Sequence, residues 1–303
     1  MIDKITLFGS SGFLGTHLKN NLEGEVISVN YREHNWRNSI SKHSSVFINC
    51  IGKAHDHKGT ASDADYFAAN LDVVKELYQQ FVASNAELFI HISSIAAVEE
   101  TERSEIITEN SDCRPVSHYG VSKRAGEKFL SEQIVPDGKK IIILRPTMIH
   151  GERDKGNLKM LYALIAKGIP YPLGSYNNSR TFASIDNVIY IINQIIRKND
   201  IVPSGIYNIC DDASLSTRKI IEIIGRVRGI KPLIWSVPKT MINLLAKIGD
   251  SMSLPINSKR LEKMTSNLVV SNAKIKQALG IDRLPISAED GMEKSIQSFS
   301  KNL

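Results

Sequence analysis

The chain has 303 residues, of which 38 are lysine or arginine and 32 are aspartate or glutamate, so its net charge is +6 at neutral pH. A hydrophobic content of 42% is typical of a folded globular protein and excludes a disordered chain. No run of about 18 apolar residues occurs, so we predict that no segment inserts into a membrane. The N-terminal segment lacks the long apolar core of a signal peptide, and we expect a cytoplasmic protein.

The charges are spread along the chain without a basic run of five or more residues, so the sequence predicts no nucleic-acid binding. The positive balance suits a small anionic substrate instead. The three cysteines are far apart and are expected to be buried free thiols. We predict no metal site, because the loop around His55 and His57 lacks a complete ligand set at a firm spacing. The charged stretch from Glu99 to Glu109 is predicted to be a solvated flap.

The first half of the chain alternates strand-like and helix-like segments. Strands are predicted at Ile5–Phe8, Val26–Val29, Val46–Ile51, Leu88–Ile92 and Lys140–Leu144. Helices are predicted at Phe13–Leu22, Asp65–Ser84 and Tyr119–Gln133, where apolar residues recur at helical spacing. This alternation indicates right-handed crossovers and an α/β fold with a doubly wound parallel sheet of the Rossmann type.

The second half is less regular. Helices are predicted at Asn157–Lys167, Val188–Arg197, Ser216–Arg228, Met241–Ile248 and Leu261–Met264, with a strand at Gly205–Ile209. We predict a dinucleotide-binding core at 1–155, to which the chain returns at about 183–212, and a smaller C-terminal substrate lobe from 156–182 and 213–303. Trp235 and the apolar face of Met241–Ile248 suit a membrane-surface helix, but packing into this lobe is the favoured interpretation.

A glycine-rich loop joins the first strand to the first helix. Its spacing is G-x-x-G-x-x-G, in Gly9-Ser10-Ser11-Gly12-Phe13-Leu14-Gly15. Glycines in this context permit a tight turn, close approach of the backbone to a pyrophosphate, and close packing of helix on strand. The helix N-terminus adds free N–H groups and the positive end of a dipole. We therefore predict that the loop binds the diphosphate of a dinucleotide.

The end of the second strand bears on the choice of cofactor. NAD-binding folds usually carry an acid there for the ribose 2′-hydroxyl. Asn30 takes that place here, and Arg32, which can pair with a 2′-phosphate, follows. The sequence therefore favours NADP(H), with NAD(H) as the alternative and a solvent-directed Arg32 as the simpler interpretation. Ile51 and Gly52, where the third strand ends, are also predicted to contact the cofactor.

A Tyr-x-x-x-Lys pair lies at the head of a predicted helix, where Tyr119 and Lys123 share one face. The spacing also arises by chance, but Ser94 follows the fourth strand at the edge of the sheet where ligands bind. The pKa of tyrosine is about 10, and we expect a nearby ammonium and an oxidised nicotinamide to lower it. Tyr119 would then act as acid/base, Ser94 would hydrogen-bond the reacting oxygen, and Lys123 would also contact the cofactor.

These residues resemble the extended short-chain dehydrogenase/reductase family, in its NAD(P)-dependent nucleotide-sugar epimerase/dehydratase branch. The likeness covers nearly the whole chain. It is carried in order by the glycine loop, Ser93-Ser94, Tyr119-Gly120-Val121-Ser122-Lys123 and Leu144-Arg145-Pro146.

The resemblance also implies contacts with a nucleotide-diphosphate sugar, most naturally UDP-linked. It places Asn157 and Leu158 at the nucleotide diphosphate and gives Arg180 a phosphate to hold, for which a guanidinium is physically suited. Family members often dimerise through two helices, and Phe67–Phe81 with Val121–Ile134 could serve here.

Departures from the family pattern narrow the reaction. The dehydratases carry Thr-Asp-Glu where this chain has Ser94-Ile95-Ala96, and Ala96 also lacks the thiol of the GDP-fucose synthase type. The stretch from Lys155 to Gly174 resembles surface-polysaccharide enzymes that act on UDP-N-acetylhexosamines. Among these, the absent ribose acid favours 4-keto reduction of a UDP-N-acetyl (deoxy)hexosamine with NADPH. A UDP-hexose or UDP-N-acetylhexosamine 4-epimerase with bound NAD is the alternative. A non-catalytic redox sensor is the alternative of another class.

Overall fold

The computed structural model describes residues 4–54, 60–154, 156–252 and 257–300. His55 and His57, which were weighed as metal ligands, lie outside these ranges. Within the described ranges, no helix is both long and apolar enough to cross a bilayer.

The described strands form two sheets. They are β1 (Lys4–Phe8), β2 (Glu25–Val29), β3 (Val46–Asn49), β4 (Leu88–Ile92), β5 (Lys140–Pro146), β6 (Met148–His150), β7 (Arg180–Ser184), β8 (Gly205–Ile209) and β9 (Ser214–Leu215). The larger sheet has the order β2-β1-β3-β4-β5-β8, and all of its neighbouring strands are parallel. The predicted α/β fold with a parallel sheet is thereby confirmed. In the smaller sheet, β6 is parallel and β9 antiparallel to β7.

The helices alternate with the strands of the larger sheet and then dominate the rest of the chain. They are α1 (Phe13–Asn21), α2 (Asp63–Phe67), α3 (Val73–Ala83), α4 (His118–Ser131), α5 (Asn157–Ala166), α6 (Ile185–Arg197), α7 (Thr217–Arg228), α8 (Lys239–Met252), α9 (Ser258–Thr265), α10 (Ala273–Leu279) and α11 (Ala288–Ser300). A π-helical turn at Ala68–Asp72 joins α2 to α3, so the predicted helix at Asp65–Ser84 is interrupted.

The strand order places a ligand crevice at one end of the sheet. From β1 the chain moves to β2 on one side and then crosses to β3 on the other side of β1. In open α/β sheets, ligands bind outside the carboxyl ends of the strands at such a reversal. The turns after β1 and β3 therefore lie at the expected binding position.

Both faces of the larger sheet are buried, as expected for parallel strands covered by helices. Successive side chains of a strand point to opposite faces. In β4, Leu88 and Ile90 pack with the α1 and α6 side of the core, whereas Phe89 packs with α3 on the other side. Each fully buried side chain of this size contributes about 1.5–3 kcal/mol.

A separate apolar cluster is built by the C-terminal half. Side chains from α5, α7 and α11 fill it, including Tyr162, Ile221, Ile224, Met292 and Ile296. The division into a core at 1–155 and a substrate lobe at 156–182 and 213–303 remains a prediction, which this cluster supports.

The predicted packing of the Met241–Ile248 face is wrong. In α8, Ile242 and Ala246 are buried in the C-terminal cluster, whereas Leu244 and Leu245 are 61% and 55% exposed. The stripe of α8 that is buried is therefore not its most apolar stripe. Trp235 is also exposed.

Candidate active site

The glycine loop turns sharply between β1 and α1. Gly9 has φ of +81°, and its carbonyl oxygen accepts a hydrogen bond from the Gly12 N–H at 3.1 Å. A Cβ on Gly15 would lie 2.1 Å from that same oxygen, so only glycine lets the helix approach so closely. A Cβ on Gly12 would meet its nearest neighbour at 3.4 Å, which leaves the exposed side of the turn open.

The N-terminus of α1 is available to an anion. The N-cap residue, Gly12, has no side chain to cap the first N–H groups, and the first turn as the structure describes it holds no acidic residue. The helix therefore presents N–H groups from the Phe13-Leu14-Gly15 turn and the positive end of its dipole. This end of the sheet fits a dinucleotide diphosphate, although the side chain of Leu14 itself packs into the core.

The turn after β3 connects the glycine loop to the lysine of α4. A Cβ on Gly9 would lie 2.8 Å from the backbone nitrogen of Ile51, so the two turns are in contact. A Cβ on Gly52 would lie 2.8 Å from Nζ of Lys123. Ile51 and Gly52 thus lie between the glycine loop and Lys123, where the cofactor was predicted.

A carboxylate stands at the end of β2. The amide nitrogen of Asn30 donates to Oε1 of Glu33 at 3.0 Å, and its amide oxygen accepts from the Arg32 N–H at 3.2 Å. Glu33 was not predicted, because the family pattern places the ribose acid at the position of Asn30. An acid suits the ribose 2′-hydroxyl, whereas Arg32 suits a 2′-phosphate. The end of β2 therefore presents both groups, and all three residues are exposed.

Ser94 and Tyr119 are brought together at the end of β4. The Ser94 hydroxyl hydrogen-bonds the Tyr119 phenol and also accepts from the Ala96 N–H at 3.2 Å. Ser117 caps α4 by accepting from the Gly120 N–H at 3.0 Å. A Cβ on Gly120 would lie 2.4 Å from the carbonyl oxygen of Ala96. The first turn of α4 therefore contacts the turn that carries Ser94.

The chain's own residues raise the pKa of Tyr119, and its lowering beside an oxidised nicotinamide stays a prediction. Burial has the largest effect and raises the pKa, the hydrogen bond with Ser94 lowers it, and the charge of Glu100 raises it. Lys123 is not among these influences, and its ammonium donates to the carbonyl oxygen of Ile92 at 3.0 Å. The chain's own residues therefore hold the phenol in its protonated form at neutral pH.

Lys123 is buried at the centre of the site. Burial lowers its pKa from 10.5 to about 8, partly opposed by the charge of Glu127. Its side chain is only 4% exposed. The lysine therefore stays a cation at neutral pH and loses its proton on mild alkalinisation.

The Lys123→Met variant tests this environment. The unfolding free energy of the wild type, relative to Lys123→Met, is expected to rise by about 1–2 kcal/mol between about pH 7 and pH 9.5. The native state releases the Lys123 proton at lower pH than the unfolded chain does, so above pH 8 the unfolded chain binds more protons. Urea unfolding at several pH values measures this, and the exposed Lys42→Met is the matched control. Parallel curves for the two variants would contradict the burial of a cation.

Glu100 was predicted to lie in a solvated flap, but it fixes the start of α4. Its carboxylate accepts from the Ser117 N–H at 2.7 Å, the Ser117 hydroxyl at 2.7 Å and the Val116 N–H at 3.2 Å. Its neighbour Glu99 is buried and accepts three hydrogen bonds from the next two residues. These carboxylates position the catalytic candidates rather than face the solvent.

Asn70 connects α4 to the turn after β3. Its side chain donates to Ser122 Oγ at 2.9 Å and exchanges hydrogen bonds with both backbone groups of Lys53. Asn70 lies in the π-helical turn, and such turns are frequent at functional sites. The sequence carried a signal for it, since Asn70 is a polar residue on the same helical stripe as Phe67 and Val74.

A buried ion pair lies beneath the catalytic turn. Glu127 of α4 accepts from Arg145 at 2.8 and 2.7 Å, from the Ser93 hydroxyl at 2.6 Å and from Arg124 at 3.1 Å. Arg145 is 1% exposed. Because Ser93 precedes Ser94, this network couples β5 and α4 to the turn that carries the candidate serine. In the sequence, Arg145 was recognisable only as part of a family motif.

The predicted substrate residues lie on the C-terminal side. Asn157 is exposed at the first position of α5. The side chain of Leu158 is 3% exposed in the C-terminal cluster, so its predicted contact with the nucleotide diphosphate would be made by its backbone. Arg180 begins β7, is half-buried and donates to Ser266 Oγ at 2.6 Å. Burial lowers the pKa of Arg180.

A small apolar cluster connects the catalytic turn to the strand of Arg180. It contains Ile95, Val98, Ile107, Leu268 and Val270. Ile107 pairs with Val270, and Leu268 pairs with Arg180, as isolated β-bridges. The segment 266–270 therefore packs both against the turn that carries Ser94 and against the strand that begins with Arg180.

The remaining predictions concern thiols and metals. All three cysteines are free; Cys210 is buried, while Cys50 and Cys113 are half-buried. Burial raises the pKa of the Cys50 thiol to about 12. Among the residues that the structure describes, no group of three or more histidines, cysteines and acids could hold a metal ion.

An open glycine loop at a strand-order reversal, a buried lysine beside it and a Ser–Tyr pair are the features expected of a dinucleotide-dependent enzyme of the extended short-chain dehydrogenase/reductase class. Residues 5–210 match the model of the NAD dependent epimerase/dehydratase family, and the chain belongs to that family. The family resemblance predicted from the motifs is confirmed. Since the homologues are enzymes, the redox-sensor alternative has no support.

Two curated relatives extend over almost the whole chain. A UDP-glucose 4-epimerase of Vibrio cholerae is 26% identical, over 99% of this chain and 96% of that protein. The N-acetyl-alpha-D-glucosaminyl-diphospho-ditrans,octacis-undecaprenol 4-epimerase of Escherichia coli O157:H7 is 22% identical, over 98% of this chain and 95% of that protein.

Solved structures share the fold. RMD from Pseudomonas aeruginosa, complexed with NADPH, is 18% identical with a TM-score of 0.74 and covers 99% of this chain and 100% of its own. UDP-glucuronic acid 4-epimerase from Bacillus cereus, in complex with NAD, has the same identity and TM-score and covers 98% and 99%.

Proposed function

We propose that the chain is a UDP-sugar 4-epimerase that retains NAD(H) through its catalytic cycle. The observation that carries the proposal is the Glu33 carboxylate, held beside Asn30 at the end of β2. A carboxylate there accepts a hydrogen bond from a ribose 2′-hydroxyl and repels a 2′-phosphate. Two relatives named as 4-epimerases, one for UDP-glucose and one for a lipid-linked N-acetylglucosamine, support the reaction.

The dinucleotide would be held along the carboxyl ends of β1, β2 and β3. The N–H groups of the glycine loop would bind its diphosphate, and Gly52 permits its close approach to Lys123. The Lys123 ammonium, with donors beyond its bond to Ile92, would hydrogen-bond the sugar hydroxyls of the cofactor. When bound, NAD supplies a hydride acceptor and a positive ring whose charge favours the phenolate of Tyr119.

Tyr119 would move the proton at the sugar 4-oxygen. Its phenolate takes the proton of the 4-hydroxyl as the carbon is oxidised, and its phenol returns the proton as the 4-keto group is reduced from the other face. Ser94, already hydrogen-bonded to the phenol, would donate to the same oxygen. Burial, which raises the pKa of Tyr119, favours the protonated form needed in the reducing half.

The C-terminal half would bind the nucleotide diphosphate. Arg180, buried in part and pointing to Ser266, offers a guanidinium for bidentate contact with a phosphate. The exposed Asn157 at the start of α5 offers an amide.

A second candidate is 4-keto reduction of a UDP-N-acetyl (deoxy)hexosamine with NADPH. The exposed Arg32 favours it, because a guanidinium there can pair with the 2′-phosphate.

The two candidates predict different contents of the purified protein. For the epimerase we expect mass spectrometry of denatured protein to release NAD, and UDP-glucose or UDP-N-acetylglucosamine to be converted without added cofactor. An empty protein that binds NADPH at least tenfold more tightly than NADH, and converts no UDP-sugar unaided, would contradict the epimerase.

The Glu33→Gln variant tests the carboxylate directly. We expect a loss of about tenfold in NADH affinity, because a charged hydrogen bond to the ribose is weakened. Glu25→Gln, at the other end of β2, is the matched control and should leave NADH binding unchanged. Unchanged NADH affinity in Glu33→Gln would remove the support for NAD.

A further inference from the structure

An exposed apolar surface lies on α8 and the segment before it. We call it the α8 patch; its members are all large, apolar and 44–61% exposed: Leu233, Trp235, Met241, Leu244, Leu245 and Ile248. The four members on α8 have the spacing i, i+3, i+4, i+7, so they share one helical face. Water covers this face in the folded chain, which is costly unless another surface takes its place.

The same part of the chain accounts for most of the net positive charge. Residues 228–265 contain seven lysines and arginines against two acids, a net charge of +5, whereas the whole chain has +6. The basic residues are spread along the chain as predicted, and the net charge is concentrated here because this segment has few acids. Lys231, Lys239 and Lys247 are exposed around the patch, and the acid Asp250 accepts hydrogen bonds from Ser258 at 2.9 and 2.6 Å.

We propose that the α8 patch binds the surface of an anionic lipid bilayer. An exposed apolar helical face with flanking lysines is the composition that lies in a membrane interface, where the lysines meet anionic headgroups. Trp235 has an amphipathic ring of the kind enriched at that interface. Charge complementarity favours this occupant over a second copy of the chain, since two surfaces that each carry the exposed Lys231, Lys239 and Lys247 repel each other.

The patch connects to the substrate side of the site. Asn243 of α8 accepts a hydrogen bond from the Tyr176 hydroxyl at 3.0 Å, and Ser175 donates to the Val237 carbonyl oxygen at 2.6 Å. The segment containing Tyr176 leads directly into β7 and Arg180. A bilayer on the patch would hold the proposed substrate-binding half next to the membrane surface. The proposal stands independently of the reaction and the cofactor.

Vesicle flotation tests the proposal. Wild-type protein is expected to float with vesicles of phosphatidylcholine and phosphatidylglycerol at low salt, and about 100-fold less with phosphatidylcholine alone. Raising the salt should weaken binding, because surface charges are screened. Absence of flotation with the anionic vesicles at low salt would overturn the proposal.

Variants separate the apolar and the charged contributions. Leu244→Gln with Leu245→Gln should lower vesicle affinity at least tenfold, and Ile201→Gln, an exposed isoleucine elsewhere, should not. Replacing Lys231, Lys239 and Lys247 by glutamine should lower it about 100-fold, at about fivefold per lysine. The matched triple variant, with glutamine at Lys19, Lys42 and Lys128, should retain vesicle binding. An equal loss of affinity in that variant would show that only the net charge of the protein matters, and would overturn the proposal.

Tryptophan fluorescence supplies a local readout. Of the two tryptophans, Trp36 is 4% and Trp235 56% exposed, so a change in emission reports Trp235. A blue shift on adding anionic vesicles is expected, and Trp235→Phe should abolish it. Sedimentation in the absence of lipid tests whether a second copy of the chain covers the patch instead. The proposal would be overturned if the wild type forms a dimer and does not bind vesicles, and if the Leu244/Leu245 variant is a monomer. Conversion of soluble UDP-sugar should be unchanged in these variants, which keeps this test separate from the proposed activity.

Discussion

Tyr119→Phe is expected to lower kcat for the proposed 4-epimerisation by about 100- to 10,000-fold. The variant keeps the ring that packs in the site and removes only the hydroxyl that would carry the proton. The amount of NAD retained should not change, because the ring does not form part of the glycine loop or of the turn after β3. Initial rates with a UDP-sugar, together with the cofactor content of each preparation, measure the effect.

Two control variants separate chemistry from structure. Tyr190→Phe removes a hydroxyl from a half-buried tyrosine on α6 and should leave kcat unchanged. Ser94→Ala should lower kcat less than Tyr119→Phe does, because it removes a hydrogen bond to the reacting oxygen but not the proton donor. Should Tyr119→Phe retain more than half of the wild-type kcat, the assigned acid/base would be wrong.

The larger sheet was predictable because its strands are apolar on both faces. β1, β3, β4 and β5 appear in the sequence as short apolar runs, and the helices between them have apolar residues at helical spacing. The same pattern failed for β6 and β9, which have three and two residues and are too short to show a period. The last helix, α11, was missed because polar residues surround its few apolar positions.

The helix α8 shows why periodicity alone does not identify the buried face. Its sequence contains two apolar stripes, one with Leu244 and Leu245 and one with Ile242 and Ala246. The larger side chains predict the first stripe to be buried, yet the second packs on α9 and the C-terminal cluster. The smaller Ala246 permits that close contact, and this is a property of the partner surface, which the helix sequence does not contain.

The site residues divide in the same way. Ser94, Tyr119 and Lys123 were found because a motif places them on adjacent turns, and the structure brings Ser94 to Tyr119. Asn70 and Glu127 support the site but were not predicted. Asn70 is distant in sequence from Lys123, and Glu127 lies outside the Tyr-x-x-x-Lys motif. Their contacts depend on tertiary packing. The pKa of Tyr119 could not be predicted for the same reason, since burial outweighs the charge that the motif suggested.

Arg145→Leu is expected to lower the free energy of unfolding by about 3–5 kcal/mol. The side chain is 1% exposed, and its loss leaves the buried Glu127 carboxylate with only Ser93 and Arg124 as donors. Removing one partner of a buried pair costs more than the pair itself contributes, because the remaining charge has been taken out of water. Urea unfolding followed by circular dichroism measures the loss. Arg124→Leu, the half-exposed partner of the same carboxylate, should cost less than about 1 kcal/mol.

The double variant Glu127→Leu with Arg145→Leu distinguishes a stranded charge from lost packing. If the stranded charge causes the loss, removing both partners restores most of the stability, since two leucines fill the space without a polar group to solvate. If the loss comes instead from the packing of the two side chains, which leucines do not reproduce, the double variant is at least as unstable as Arg145→Leu. That result would refute the ion-pair argument. The kcat of the double variant need not recover with its stability. Ser93 loses its acceptor in that variant, while Ser94 keeps its bond to Tyr119. A double variant that is stable but impaired in kcat would therefore assign Glu127 to positioning the catalytic turn.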